Sequence, residues 1–387
     1  MEKIYQTIII GAGPAGLTVG RYLDSALILE QKKEIGQKVQ CAEGLAKEFL
    51  EKLEILPQSE WICSFIDKTQ IIFPNKKSFF LKEKEGLYIL DRIKFEKFLA
   101  SLCRAKILLK KKVVDVEKKN DFFELKTQDK ETFKCKYLVG ADGPFSIVRR
   151  KIFKEKIDYL PCVEYLVKLE RKVEKDTIKM FFDNERFPFG YAWIFPKGEN
   201  LANIGFGAKS ASLRETFENF MKEVEKEYGK YQLLKDQSGV VPFLKKPFKP
   251  IKENAFLIGD AGGMVDPITG GGIGNAMIAG KELAQCIIKE DFSPFLEKIK
   301  KLSCFSESLF SLREILASLE NNTLNEIGEI LEYYKESPFS LFKKSFSLKV
   351  SVLIKSLSKP YLRKNIFKFL KMFFLYKNYL SEKKYGA

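Results

Sequence analysis

Glycines at positions 11, 13 and 16, directly after the apolar run Ile8-Ile9-Ile10, have the types and spacing to hold a dinucleotide pyrophosphate. Gly11 permits a tight turn, Gly13 lets backbone approach the phosphates, and Gly16 lets the following helix lie close to its strand. The N–H groups at the start of that helix would face the phosphate charge. A second apolar run, Ala26-Leu27-Ile28-Leu29, ends at Glu30, where an acid about 20 residues past the first glycine would accept from a ribose hydroxyl. Two later segments also read as strands that end in Gly/Asp turns. One runs from Tyr137 to Asp142-Gly143; the other runs from Phe256 to Gly259-Asp260 and on through Gly271, Gly272 and Ile273 into a helix to about Ile288. Their glycines can set backbone N–H groups against a second anionic centre, and Asp260 can accept from a ribityl or ribose hydroxyl. Between them lies Tyr191-Ala192-Trp193-Ile194-Phe195-Pro196-Lys197-Gly198, a strand whose alternate aromatic side chains share one face and which closes in a Pro-Lys-Gly turn.

Taken together, these segments resemble the FAD-binding fold of p-hydroxybenzoate hydroxylase-type flavoproteins, in which distant parts of the chain grip the two ends of the cofactor. Within that superfamily, Gly36-Gln37-Lys38-Val39-Gln40-Cys41-Ala42-Glu43-Gly44 resembles the G-x-x-V-x-C-A-E-G stretch of geranylgeranyl reductases, and Tyr191 to Gly198 is similar to their Y-x-W-x-F-P-K-G motif. Asp91-Arg92, with Phe95 and Leu99, resembles the helix start whose arginine faces the flavin. The resemblance covers roughly residues 1–290 and points to the archaeal-lipid type of reductase. It implies FAD as cofactor, held by Gly11, Gly13, Ala15, Gly16, Glu30, Cys41, Ala42, Arg92, Val114, Asp142, Gly143, Gly259, Asp260, Gly271, Gly272 and Ile273. It implies a prenyl substrate, a prenyl lipid or geranylgeranyl diphosphate, against Tyr191, Trp193, Phe195, Lys197 and Gly198, with Cys41, Tyr191 and Trp193 nearest the chemistry. Reduced flavin would deliver hydride from N5 to an unactivated alkene, and the other alkene carbon would take a proton.

The composition limits where that proton comes from. The chain contains no histidine, which excludes Ser-His-Asp and Cys-His catalysis and leaves Cys, Tyr, Lys, a carboxyl group or water as donor. The seven cysteines are scattered and never spaced C-x-x-C, so reduced thiols and no metal site are expected. Lys197 reads as a solvated turn residue, with contact to a phosphate or the flavin edge as the alternative. Only one G-x-G-x-x-G unit is present, so electrons are expected from an external donor, NAD(P)H, ferredoxin or another carrier.

The expected fold class is α/β: a discontinuous Rossmann-like FAD-binding domain (1–60, 86–158 and 250–290), a β-rich substrate domain (61–85 and 159–249) and a basic C-terminal helical region (291–387). Net charge is +16, and residues 343–387 hold 12 basic residues against the single acid Glu382. Within this tail Lys364, Lys368 and Lys371 fall on one helical stripe, while Ile366, Phe369, Leu370, Phe373 and Phe374 fill much of the remainder. The tail therefore reads either as a helix packed on its own domain or as a basic amphipathic helix lying in an anionic membrane surface; nucleic acid is not an expected partner. Met1-Glu2-Lys3 leads almost directly into the first strand, so no cleavable signal is expected, and the location expected is cytoplasmic, with peripheral contact at the inner face of the cell membrane. Two other activities share some of these features. A flavin-dependent aromatic monooxygenase would use the same FAD segments, and a membrane-docked electron-transfer flavoprotein would use the basic tail.

Overall fold

A computed structural model describes residues 3–37, 41–210, 212–334, 352 and 354–384. The apolar runs that read as buried strands form the centre of a first sheet. Its main path is Ile251–Lys252, Ala255–Leu257, Thr132–Gly140, Ile4–Ile10, Ala26–Leu29 and Lys106–Leu108. All pairings after the first are parallel, with Ile8 opposite Leu27 on one side and Leu138 on the other. A parallel sheet must be covered on both faces. Helices Pro14–Tyr22, Arg92–Ser101 and Ile273–Lys289 supply one cover, around Ile9, Ile28, Phe95, Val139, Met277 and Leu283. The Val113–Lys118 and Phe123–Thr127 hairpin and the short π-helix Arg149–Phe153 pack on the other, around Ile8, Leu27, Phe123, Leu138 and Val148. Each such large apolar side chain contributes about 1.5–3 kcal/mol of burial free energy, so this slab anchors the strands from which the glycine-rich turns emerge.

The second sheet runs Tyr231–Phe243, Asp158–Leu169, Leu201–Gly207, Tyr191–Pro196, Thr177–Phe181, Ile62–Ile72, Ser78–Leu90 and Gly44–Ala46, mostly antiparallel. Period-2 alternation gives it two different faces. Val163, Tyr165, Val167, Ala192, Ile194, Ile204 and Phe206 pack under helix Leu213–Tyr228. The intervening residues, Glu164, Trp193, Phe195 and Asn203, therefore lie on the opposite face, where Trp193 and Phe195 cluster with Ile66, Ile89 and Ile178 beside Ala42. The boundary between the sheets differs from the expected one. Gly44–Ala46 pairs antiparallel with Leu87–Ile89, so residues 44–46 and 86–90 belong to the second sheet. The reason is a non-local pairing that neither segment's own pattern reveals.

C-terminal helices Asn321–Tyr334, Pro360–Lys364 and Ile366–Lys384 close over one end of the second sheet's Trp193-bearing face, where Leu324, Ile327, Leu331, Leu362 and Phe369 meet Ile71, Phe73, Phe79 and Met180. Among the described residues, no helix is long and apolar enough to cross a membrane.

Candidate functional site

The glycine-rich segments from opposite ends of the chain converge. Gly11 has φ +102°, and a Cβ placed on it would lie 2.3 Å from the Ala141 carbonyl oxygen, so the first loop sits directly on the Ala141-Asp142 turn. A Cβ on Gly259 would be 3.1 Å from that of Ala15, and one on Gly272 3.5 Å from an Asp260 oxygen. Residues 11–16, 141–143, 259–263 and 272–274 thus form one cradle. Gly13 caps helix Pro14–Tyr22, and Gly272 caps Ile273–Lys289.

Arg149, which no sequence pattern singled out, clasps this cradle. Its buried guanidinium donates to the Ala261 carbonyl at 2.8 Å and the Tyr159 hydroxyl at 3.0 Å, and also to the Pro144 carbonyl. One side chain therefore ties the Asp142-Gly143 turn to the Asp260-Ala261 turn. Glu30 is buried at the end of its strand, and its carboxylate accepts from Ala12 N–H at 2.7 Å and Lys32 N–H at 2.8 Å.

Several observations fit a bound dinucleotide. A Cβ at Gly13 or Gly143 would meet nothing within 4 Å, so both backbones present an open edge while the neighbouring glycines are tightly packed. Asp142 uses one carboxylate oxygen for Ile147 N–H at 2.7 Å, and its Oδ1 is buried without a partner, as are Arg92 Nε and Glu96 Oε2. Buried polar atoms with unmet hydrogen-bonding capacity are uncommon and point to a ligand. Arg92 pairs with Glu96 one turn along its helix, and its backbone N–H donates to Glu43. Burial pushes the carboxyls of Asp142 and Asp260 above the usual range, the latter opposed by Arg92 and Arg149. Val114 stands apart from this group; it is 43 % exposed on the outer hairpin, so its side chain does not join the cradle.

Against the cradle lies the inner face of the second sheet. Tyr191, Trp193 and Phe195 form a ladder with ring centroids 5.9 and 6.5 Å apart, and Tyr191 donates its hydroxyl hydrogen to the Thr269 carbonyl in the glycine loop. The Trp193 indole N–H donates to Asn203 Oδ1 at 3.0 Å, and Asn203 Nδ2 donates to the Cys41 carbonyl at 3.4 Å. Cys41 N–H donates to Glu164 Oε1 at 2.9 Å, an oxygen that also accepts from Gln237 at 2.9 Å. The Cys41 loop is thus pinned to the sheet by two hydrogen-bonded polar residues. Lys38, Val39 and Gln40 of the same loop lie outside the described residues.

Lys197 is not a solvated turn lysine. It forms an ion pair with Glu43, both side chains nearly buried, and Glu43 in turn reaches the Arg92 backbone. Burial and the Glu43 carboxylate hold it at the end of its strand. Gly198 lies beyond it in the turn to Leu201–Gly207 and takes no part in this cluster.

Burial pushes the Cys41 thiol up to about 11, so it stays protonated at neutral pH. Burial likewise pushes Glu164 up to about 7, with Glu43 adding to the rise and Asn203, Lys197 and the Cys41 N–H opposing it. The sequence reading missed Glu164. The available signal was a carboxylate on the inward phase of an apolar strand, next to Cys162 on that phase. A raised carboxyl binds a proton more tightly in the folded chain than in the unfolded one, so its contribution to stability is present at low pH and lost as pH rises from about 4.5 to about 7. On that basis Glu164→Gln is expected to gain stability relative to the parent across this window, by on the order of 3 kcal/mol at its upper end. Melting temperatures of both proteins from pH 4 to 8 check this; parallel curves would show that Glu164 titrates alike in the folded and unfolded chain.

Residues 158–241, which include Glu164, the aromatic strand and Asn203, match the family model described as geranylgeranyl reductase catalytic domain, and residues 8–178 match that of pyridine nucleotide-disulphide oxidoreductases. A digeranylgeranylglycerophospholipid reductase of Methanosarcina acetivorans is 33 % identical over 78 % of this chain and 80 % of its own. One from Picrophilus torridus is 29 % identical over 92 % of this chain and 99 % of its own. Among solved structures, a geranylgeranyl bacteriochlorophyll reductase-like protein from Thermoplasma acidophilum superposes with TM-score 0.77 at 27 % identity, covering 94 % of this chain and 98 % of that one. The p-nitrophenol 4-monooxygenase of Pseudomonas putida gives TM-score 0.68 at 14 % identity over 96 % and 99 %, a likeness of fold alone.

Proposed function

The chain belongs to the geranylgeranyl reductase family, and from that premise we propose that it is an FAD-dependent reductase that saturates carbon–carbon double bonds of geranylgeranyl chains, most naturally on membrane-lipid precursors. The observation that carries this reading is the face-to-face arrangement of the glycine cradle and the Tyr191-Trp193-Phe195 ladder, with the Cys41 loop hydrogen-bonded to the ladder's sheet at Glu164 and Asn203. FAD, when bound, supplies the hydride.

The chain's own residues supply the rest. Gly11, Gly13 and the helix that follows would hold the pyrophosphate, Glu30 the ribose, and Asp142, Asp260 and Arg92 the polar groups nearer the ring. The aromatic ladder is an apolar wall suited to a long prenyl chain, and it excludes water from the reacting alkene. Holding that alkene in place replaces a bimolecular encounter, a gain of up to ~7–11 kcal/mol for a well-aligned pair. Cys41 Sγ keeps its proton at neutral pH and the Glu164 carboxyl, pushed up to about 7, keeps part of its own beside it; these are the groups we assign to proton supply. The electron donor is external, and the polar headgroup lies outside the apolar wall.

Chemically reduced protein, kept anaerobic and mixed with a digeranylgeranyl phospholipid, is expected to reoxidise its flavin while the lipid gains mass in steps of two hydrogens. Flavin that stays reduced until oxygen is admitted, with unchanged prenyl lipid, overturns the reading. Hydroxylation of an aromatic substrate under oxygen would assign the fold to a monooxygenase instead.

A further inference from the structure

The C-terminal helix Ile366–Lys384 presents two apolar stripes, and among the described residues only one of them is packed against the fold. Ile366, Phe369, Met372 and Phe373 face inward and pack with Leu362 and Val352 against that same end of the second sheet. Phe367, Leu370 and Phe374, at i, i+3 and i+7, lie on the outward side and are 84 %, 44 % and 63 % exposed. The sequence reading grouped Leu370 and Phe374 with the inward residues; the structure separates them. Lys364, Lys368 and Lys371 border the exposed stripe, all three at the surface, with Lys368 reaching the Ser318 carbonyl at 3.3 Å. From Pro360 to Ser381 the chain has five basic residues and no Asp or Glu.

A folded protein rarely leaves two phenylalanines and a leucine contiguous and exposed without a partner. Aliphatic or aromatic side chains flanked by lysine, on a helix that carries no acid from Ile366 to Ser381, fit a surface that is apolar a few ångströms down and negatively charged at its top. We propose that this outward stripe docks the protein on an anionic lipid bilayer, with Phe367, Leu370 and Phe374 inserted below the headgroups and Lys364, Lys368 and Lys371 at phosphate level.

The placement gives the docking a purpose, a step that rests on the reductase reading. Helix Glu307–Ala317 lies against this helix, and a surface groove between them is lined by Ser311, Glu314, Ile315, Phe367, Lys368 and Lys371, so that one acid faces two lysines there. The other side of the same helix supplies Arg313, Leu316 and Ala317 to a small cavity shared with Tyr191, Phe189 and Ile268. A single helix therefore separates the docking stripe from the open end of the aromatic ladder. A prenyl chain leaving the bilayer beside Phe367 has only that helix to pass before it meets Tyr191.

Full-length holoprotein should be sedimented with vesicles of phosphatidylcholine alone and of phosphatidylcholine with phosphatidylglycerol. Binding to the anionic vesicles, weakened by salt, is expected, with little on the neutral ones. The exposed-side triple variant Phe367→Ser, Leu370→Ser, Phe374→Ser should lose roughly tenfold or more in partitioning, and Lys364→Glu, Lys368→Glu, Lys371→Glu on the order of a hundredfold, with flavin content and melting temperature unchanged. Anionic binding retained by both variants, or no binding by the parent, overturns the proposal. So does a parent that is dimeric in solution while the serine variant is monomeric, which would make a second copy the occupant. Anaerobic flavin reoxidation separates this from the reductase reading. The serine variant should match the parent on substrate dispersed in detergent and fall behind only on substrate in vesicles. A parent that is inactive in detergent refutes the reductase reading and leaves the vesicle result standing.

Discussion

Gly13→Val is expected to give a folded, colourless protein. Gly13 has φ −81° and ψ −177°, a backbone conformation open to valine, and its Cβ direction meets no protein atom within 4 Å. The added side chain therefore costs the empty fold little and occupies the space into which the pyrophosphate must come. Losing two or three charge-assisted hydrogen bonds there, at about 1.5–3 kcal/mol each, weakens the cofactor by a factor of at least ~10². Gly11→Ala is the contrasting variant. At φ +102° with the Ala141 carbonyl 2.3 Å from the new Cβ, it should unfold or misplace the loop itself. The measurements are the flavin-to-protein absorbance ratio and the melting temperature of the two apoproteins. A Gly13→Val protein that retains flavin at the parent's ratio removes this loop from the cofactor site.

Trp193→Ala should damage both the sheet and the reaction. The indole is only 6 % exposed, packs against Gly205 on the next strand and donates to Asn203. Truncation leaves a cavity costing about 3–5 kcal/mol and strands the Asn203 acceptor. Because Asn203 also holds the Cys41 carbonyl, the Cys41 loop loses one of its two anchors. Turnover of a long prenyl lipid, measured well below the melting point, should fall by on the order of a hundredfold, since small misplacements at a reacting centre cost that much. Flavin content should stay near the parent's, because the pyrophosphate cradle is on the other sheet. Trp193→Phe refills most of the cavity without the N–H, and it should recover stability more fully than rate. A Trp193→Ala protein with full flavin and the parent's single-turnover rate would take the indole out of the substrate wall.

What was legible in the chain was local. The glycine turns, the apolar runs before them and the alternation of Tyr191, Trp193 and Phe195 each occupy a few consecutive residues and impose their geometry without help from elsewhere. The polar residues that organise the site are legible only through partners far along the chain. Glu164 becomes a buried acid because Cys41, 123 residues earlier, donates to it, and Arg149 becomes a clasp because Ala261 accepts from it. Lys197 was misread for the same reason, since a turn lysine looks solvated until Glu43 is placed beside it. In the C-terminal helix, periodicity showed that apolar and basic residues separate; it could not show which apolar residues the fold would bury, because the helix carries them around more than half its circumference.

The Arg149 clasp and the strand Ala255–Leu257 have a consequence for the order of events during synthesis. That strand pairs with residues 138–140, and its turn supplies the carbonyl that Arg149 holds. The nascent chain can form its first strand-helix-strand unit early, yet it has no closed nucleotide cradle until residues 255–276 leave the ribosome, roughly ten seconds or more later at ~5–20 residues per second. In that interval the half-built parallel sheet exposes the edge at Leu138–Gly140 that Ala255–Leu257 will cover. Closure of the cradle is therefore a late event in synthesis, and the exposure of this strand edge is confined to the waiting time before it.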